Sequence, residues 1–135
     1  MTGLPLRAVA TEAAVEPRGR LTLVTFGFKY GAPGTNYYFD VSFLRNPARD
    51  PRWDLFDGPN DAMRRFVLEQ PLCIEFLEAL LPLVLTLSRC DDDVRIGIGC
   101  SAGRHRSRIV ADELARRLAA DGIDVQLVHR EDAYR

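Results

Sequence analysis

Between residues 93 and 122 the hydrophobic period changes from that of a strand to that of a helix, with a glycine-bearing turn at the change: DVRIGIGC, then SAGRH, then RSRIVADELARRLAADG. The first piece reads as a short buried strand. The last reads as an amphipathic helix with Val110, Leu114 and Leu118 on one stripe. Gly122 is its expected stop, and IDVQLVH returns as another strand. Asp112 with Arg116, and Glu113 with Arg117, are spaced to pair along the helix's outer face. A strand, helix and strand over residues 94 to 129 commit the chain to an α/β fold, with a right-handed crossover expected.

The remaining segments fill in one domain. With 135 residues, 47% hydrophobic and 27% charged, the chain builds a single modest core and leaves no room for a second. A mixed sheet with flanking helices is expected over residues 21–135, after an N-terminal tail of residues 1–20 that lacks the basic start and unbroken apolar run of a signal peptide. LTLVTFGFKYG reads as a strand running into a glycine-bounded loop, and NYYFDVSFL as a second strand. Asp40 in that second strand needs a cation or a strand end, because an unpaired carboxylate among apolar neighbours is costly. RNPARDPRWDLFDGPND, with three prolines, is a long irregular loop, after which Asn60 or Asp61 can cap a helix through AMRRFVLEQ. LCIEFLEALLPLVLTL carries apolar residues on almost every face, which predicts a helix buried on more than one side and bent or restarted at Pro82. Its longest apolar run is too short to cross a bilayer, so no membrane span is expected.

The turn itself carries the chemistry. Backbone N–H groups in a small-residue turn at a helix N-terminus form a concavity suited to phosphate or sulfate, and open α/β sheets place ligands at the carboxyl ends of their strands. Gly99 and Gly103 permit a tight path, Arg106 can hold two oxygens at once, and Ser107 can cap the helix or touch a third. Arg104 and His105 add positive charge. The spacing C-x5-R-S from Cys100 to Ser107 also meets the short signature of cysteine phosphatases, in which a thiolate attacks phosphorus. Gly99 stands where those enzymes usually carry histidine. Their general acid would have to come from Asp54 or Asp57.

The bland alternatives stand beside these. Cys100 can equally be a small buried residue at a strand end. Cys73 and Cys90 read as packing residues, His129 as a satisfied structural histidine, and Arg64, Arg65, Arg116 and Arg117 as solvated helix faces. Three cysteines without metal-ligand spacing argue against a disulfide framework and a metal site, and suit a reducing cytoplasm. A net charge of −1 denies the chain a global basic field for nucleic acid. Arginine outnumbers lysine 17 to 1, which singles out Lys29 as a compact ammonium kept in an otherwise arginine-using chain.

Taken together, FGFKYGAP at 26–33, FDVSFLRNP at 39–47, DGPNDAMRRFVLEQP at 57–71, IGCSAGRHRS at 98–107 and VHR at 128–130 are similar in order and spacing to the C-terminal domain of the RapZ, or RNase adapter protein, family. The resemblance covers residues 21 to 131. It implies an α/β domain similar to a phosphofructokinase subdomain that binds glucosamine-6-phosphate and forms homo-oligomers. In full-length members it implies binding to a small regulatory RNA as well. Carried over by position, the ligand site comprises Lys29, Asp40, Cys100, Ser101, Ala102, Gly103, Arg104, His105 and Arg106. That family's nucleotide-binding N-terminal domain has a G-x-x-x-x-G-K-[ST] signature, which this sequence does not contain.

Three departures bear on the resemblance. Ser101, Ala102 and Arg104 replace the threonine, glycine and lysine usual in that loop. Ala48 replaces a basic residue after the Asn-Pro pair, and HREDAYR stands in place of a basic tail. Two functions follow as expectations. The first is a non-catalytic sensor or adaptor that needs no cofactor, binds an amino sugar phosphate, and has RNA or protein downstream. The second is a cysteine-dependent phosphatase using Cys100 and Arg106.

Overall fold

The computed structural model describes residues 19–53 and 58–134. Its strands are β1 (Arg20–Gly27), β2 (Tyr37–Asp40), β3 (Asp93–Cys100) and β4 (Val125–His129), in the spatial order β2-β3-β1-β4. Its α-helices are α1 (Asp61–Leu68), α2 (Pro71–Leu87) and α3 (Arg106–Ala120), with short 3-10 turns at Phe28–Tyr30, Pro47–Arg49 and Arg130–Tyr134. The α/β class expected from the sequence is the class observed. The pairing, expected to be mixed, is parallel throughout the described sheet. Parallel strands require a connection that carries the chain back to its starting end. Helices do this after β2 and β3. After β1 the loop of residues 28 to 36 does it, passing so close to the sheet that a Cβ on Gly97 would meet Pro33 Cγ at 3.2 Å.

The helices pack on the sheet face that carries Leu21, Leu23, Val94, Ile96 and Ile98, and these join Met63, Val67, Leu77, Ile109, Leu114 and Leu118 in the core. Alternation puts Val24 and Phe26 on the other face. There Phe28 and Tyr38 meet the Phe26 ring edge-on at 4.8 and 5.9 Å, and the Arg130 guanidinium lies 5.6 Å from its centroid. This second face has aromatic and loop cover where many parallel sheets have helices.

Asn60 caps α1, its Oδ1 accepting from Met63 N at 2.9 Å. Helix α2 runs as one helix through Pro82 and buries the single stripe Cys73, Leu77, Leu80 and Val84. The expectation of burial on several sides does not hold, since Leu72, Ile74 and Leu83 are exposed. The buried residues recur every three or four positions, the spacing that places side chains on one helix face. The expected Asp112–Arg116 pair is also absent. Asp112 faces inward to Arg64 at 2.8 Å, while Glu113 takes both Arg116 and Arg117. Arg64 is therefore half-buried in an ion pair, not simply solvated. Among the described residues no single helix is long and apolar enough to cross a membrane, and α1 and α2 diverge by 80°.

Candidate anion-binding site

The central parallel pair β1 and β3 ends with Gly27 opposite Cys100. Both chains turn there, and the two turns lie against each other. Lys29 N donates to Ser101 O at 3.1 Å. Gly103 has φ +73, and a Cβ there would sit 2.7 Å from Gly27 N. A Cβ on Gly27 would in turn meet the Ala102 carbonyl carbon at 2.4 Å. Only glycine at both places lets two backbones approach so closely. Gly99 plays a different part from the one expected: it lies within β3, its open side filled by the Phe26 ring.

The turn and the start of α3 enclose a cleft of about 50 Å³ lined by Asn46, Ala48, Cys100, Ser101, Ala102, Arg104, His105 and Arg106. A cleft of this size has room for a small polar group and not for a whole metabolite. Gly103 is not in the wall. Its peptide faces the other way, where Arg108 Nε donates to Gly103 O at 3.0 Å. In a trans peptide the carbonyl and the following N–H point in opposite directions. Pinning Ser101 O to Lys29 and Gly103 O to Arg108 therefore points the N–H groups of Ala102 and Arg104 away from those two partners. The first N–H groups of α3, at Arg106, Ser107 and Arg108, have no intrahelical acceptor, and all three residues are buried. The result is a set of donors at the positive end of a helix dipole.

The side chains expected at the site are distributed around this turn. Cys100 is 3% exposed and its Sγ donates to Ser107 Oγ at 3.3 Å. Ser107 is thus engaged with the thiol and does not cap α3, whose N-cap residue is His105. Arg106 lines the cleft, while its Nη1 donates to the carbonyls of Ser42 and Leu44 at 2.7 and 3.0 Å. It therefore fastens the turn after β2 to the loop. Asp40 is the last residue of β2, exposed, with Oδ1 accepting from Ser42 N at 2.8 Å. Lys29 is exposed, its Nζ 5.2 Å from the centre of the Tyr30 ring. Both flank the loop at the carboxyl ends of the strands, outside the cleft wall. Asp54 and Asp57 lie outside the described residues.

Several site residues lie outside the strand, turn and helix signal of residues 93 to 122. Asn46 and Ala48 enter the wall because Asn46 Oδ1 accepts from Ala48 N at 3.0 Å and starts the 3-10 turn at Pro47. An Asn-Pro pair is a turn signal that could have located them. Arg108 and Glu131, two buried charges behind the loop, are the larger omission. His129 is satisfied as expected, Nδ1 lying 2.7 Å from Thr25 Oγ1. Cys73 is buried in the core, where desolvation pushes its thiol up to about 11. Cys90 is exposed, contrary to expectation, because it follows α2 in the turn to β3. Among the described residues no cluster of metal-ligating side chains occurs.

The family model of the RapZ C-terminal domain matches residues 19–133. A nucleotide-binding protein of Streptomyces coelicolor is 39% identical over 122 residues, covering 86% of this chain and 41% of the relative. Another so named, from Rubrobacter xylanophilus, is 38% identical over 143 residues, covering 97% of this chain and 47% of its own length. A third, from Lachnoclostridium phytofermentans, is 38% identical over 117 residues, 82% of this chain and 41% of the relative. The chain thus spans less than half the length of these relatives. The matched span includes both turns that form the cleft and the segment that braces them, and the chain belongs to the RapZ C-terminal domain family.

Proposed function

We propose that this domain is a non-catalytic regulatory binding module whose ligand is a phosphorylated small metabolite, an amino sugar phosphate of the glucosamine-6-phosphate kind. The observation that carries the reading is the orientation of the loop. Two of its carbonyls are held by Lys29 N and Arg108 Nε, so the N–H groups of Ala102 and Arg104 point away from those partners, beside the first turn of α3. On this reading the phosphoryl group enters the cleft of about 50 Å³ and the sugar stays at its mouth, at the strand ends where Lys29 and Asp40 stand. Lys29 supplies a mobile point charge for phosphate and Asp40 an acceptor for hydroxyl or ammonium groups. The relatives' name, nucleotide-binding, agrees with this at the level of what nucleotides and phosphosugars share, a phosphate ester. The three free thiols suit a reducing cytoplasm.

Calorimetry with glucosamine-6-phosphate at low salt tests this. Saturable one-to-one binding, competed by inorganic phosphate and not by glucosamine, is expected, and a flat trace would sink the proposal. The phosphatase alternative makes the opposite demand on Cys100. A buried thiol that donates to Ser107 predicts no turnover of an aryl phosphate, and Cys100→Ser should retain phosphosugar binding within about threefold, the change expected when one hydroxyl replaces one thiol as a hydrogen-bonding group. Steady hydrolysis abolished by that substitution would establish the enzyme instead.

A second partner, RNA, is favoured by one feature. A groove of about 430 Å³ is lined by Arg45, Arg52, Arg65, Phe66 and Gln70 among others. Arg45 lies 5.0 Å from the centre of the Phe66 ring, and Arg52 lies 4.3 Å from that of Trp53. Aromatic rings and guanidinium planes are the surfaces on which proteins stack unpaired bases. A gel shift whose affinity falls steeply with salt would support it. Homo-oligomerisation, the remaining expectation from the family, is read by sedimentation.

A further inference from the structure

Arg108 and Glu131 are buried charges that the binding reading leaves without a task. Both press on the back of the loop. Arg108 Nε holds Gly103 O at 3.0 Å and its Nη2 reaches Asp132 Oδ1 at 2.7 Å. Glu131 Oε2 accepts from Gly27 N at 2.6 Å and from Arg130 Nη2 at 2.8 Å. A Cβ on Gly103 would meet Glu131 Cγ at 2.9 Å, so the carboxylate arm lies directly behind that peptide. Arg130 extends the brace to the carbonyls of Gly31 and Ala32, at 2.8 and 3.0 Å. The short turn Arg130–Tyr134 thereby ties the ends of β1 and β4 to the loop.

We propose that Arg108 and Glu131 are positioning residues for anion binding, setting the peptide planes of the loop from behind without touching the ligand. This rests on the anion reading of the cleft. The mechanism is geometric. Arg108 fixes the plane between Gly103 and Arg104, and so aims the Arg104 N–H. Glu131 holds Gly27 N, against which Gly103 is packed, and keeps the loop from sliding along β1. Preorganised donors bind an oxyanion without first reorganising, so releasing them weakens binding.

The proposal makes a prediction opposite in sign to simple electrostatics. Glu131 is a negative charge close to an anion site, and Coulomb's law alone says that neutralising it tightens anion binding. The brace says that neutralising it loosens binding. Inorganic phosphate is titrated into the full chain and into Glu131→Gln and Arg108→Met, followed by calorimetry and by the amide resonance of Arg104. The expected result is that Kd for phosphate rises about tenfold in both, the loss of one charge-assisted hydrogen bond, with a smaller phosphate-induced shift at Arg104. Unchanged or tighter binding by folded Glu131→Gln would overturn the brace while leaving the site intact. A flat wild-type titration would remove the site, and the brace with it.

If either variant fails to fold, Asp132→Asn serves instead, because Asp132 is half exposed and holds the outer end of Arg108. It too removes a negative charge, and it too must weaken binding. Tighter binding in that variant would overturn the brace.

Discussion

Gly103 shows how much one residue decides. Its φ of +73 is a backbone state that an L side chain enters at a cost of about 1–2 kcal/mol, and a Cβ there would press on Gly27 N at 2.7 Å. Gly103→Ala should therefore destabilise the domain by about 2 kcal/mol or more in a denaturant melt and weaken phosphate binding with it. Retained stability and binding would mean the two turns are not packed as described. The thiols give a second test at this scale. Cys90 is exposed, whereas Cys73 and Cys100 are buried and the Cys73 thiol stands near 11. One thiol should react quickly with an aromatic disulfide at pH 8, and peptide mapping should find it at residue 90. The others should follow only on unfolding. Rapid labelling of Cys100 in the folded chain would favour the phosphatase reading.

At the scale of elements, α3 joins the core to the site. Leu114 is fully buried on its inner stripe, and Leu114→Ala should cost about 2–5 kcal/mol in a denaturant melt. On its outer side Glu113 is held below the ordinary glutamate range, first by its hydrogen bond from Arg116 and then by that from Arg117. A depressed folded value means the stabilisation is complete above the unfolded pKa, near 4.3, and is lost as pH falls through the lower folded value. The acid limb of thermal stability should therefore be shallower in Glu113→Gln. An identical limb would show the pair to be idle in solution.

The same helix shows what can be read along a chain. The join of strand, turn and helix at residues 93 to 122 is legible because its signals are local: a change of period, glycines at the change, and a glycine stop. The Val110, Leu114, Leu118 stripe follows from period alone. What Arg106 does is not legible, since its acceptors are the carbonyls of Ser42 and Leu44, brought near only by the β2–β3 pairing. Nor is the brace, because Arg108 and Glu131 are spelled like surface residues until tertiary contact buries them. The single buried stripe of α2 is hidden for the opposite reason: a helix apolar all round does not say which side is covered.

For the whole molecule, parallel pairing sets where everything else goes. All strands end at one pole, so the turn after Gly27, the turn after Asp40 and the loop after Cys100 gather there, each bonded to the next through Lys29 or Arg106. An oxyanion held at that pole would stiffen three connections at once. Phosphate should accordingly raise the melting temperature in proportion to the logarithm of its concentration above Kd, and sulfate should do so comparably. Chloride at matched ionic strength should do so less.

The central claim is that the N–H groups of the Cys100–Arg108 turn converge on a phosphate. The most direct measurement is a 1H–15N correlation spectrum of the full chain titrated with inorganic phosphate at constant ionic strength. Saturable shifts at Ala102, Arg104 and Arg106 to Arg108, with lesser ones at Asn46 and Ala48, are predicted. Shifts confined to exposed arginines such as Arg45, Arg49 and Arg52, with the turn unmoved, would contradict it.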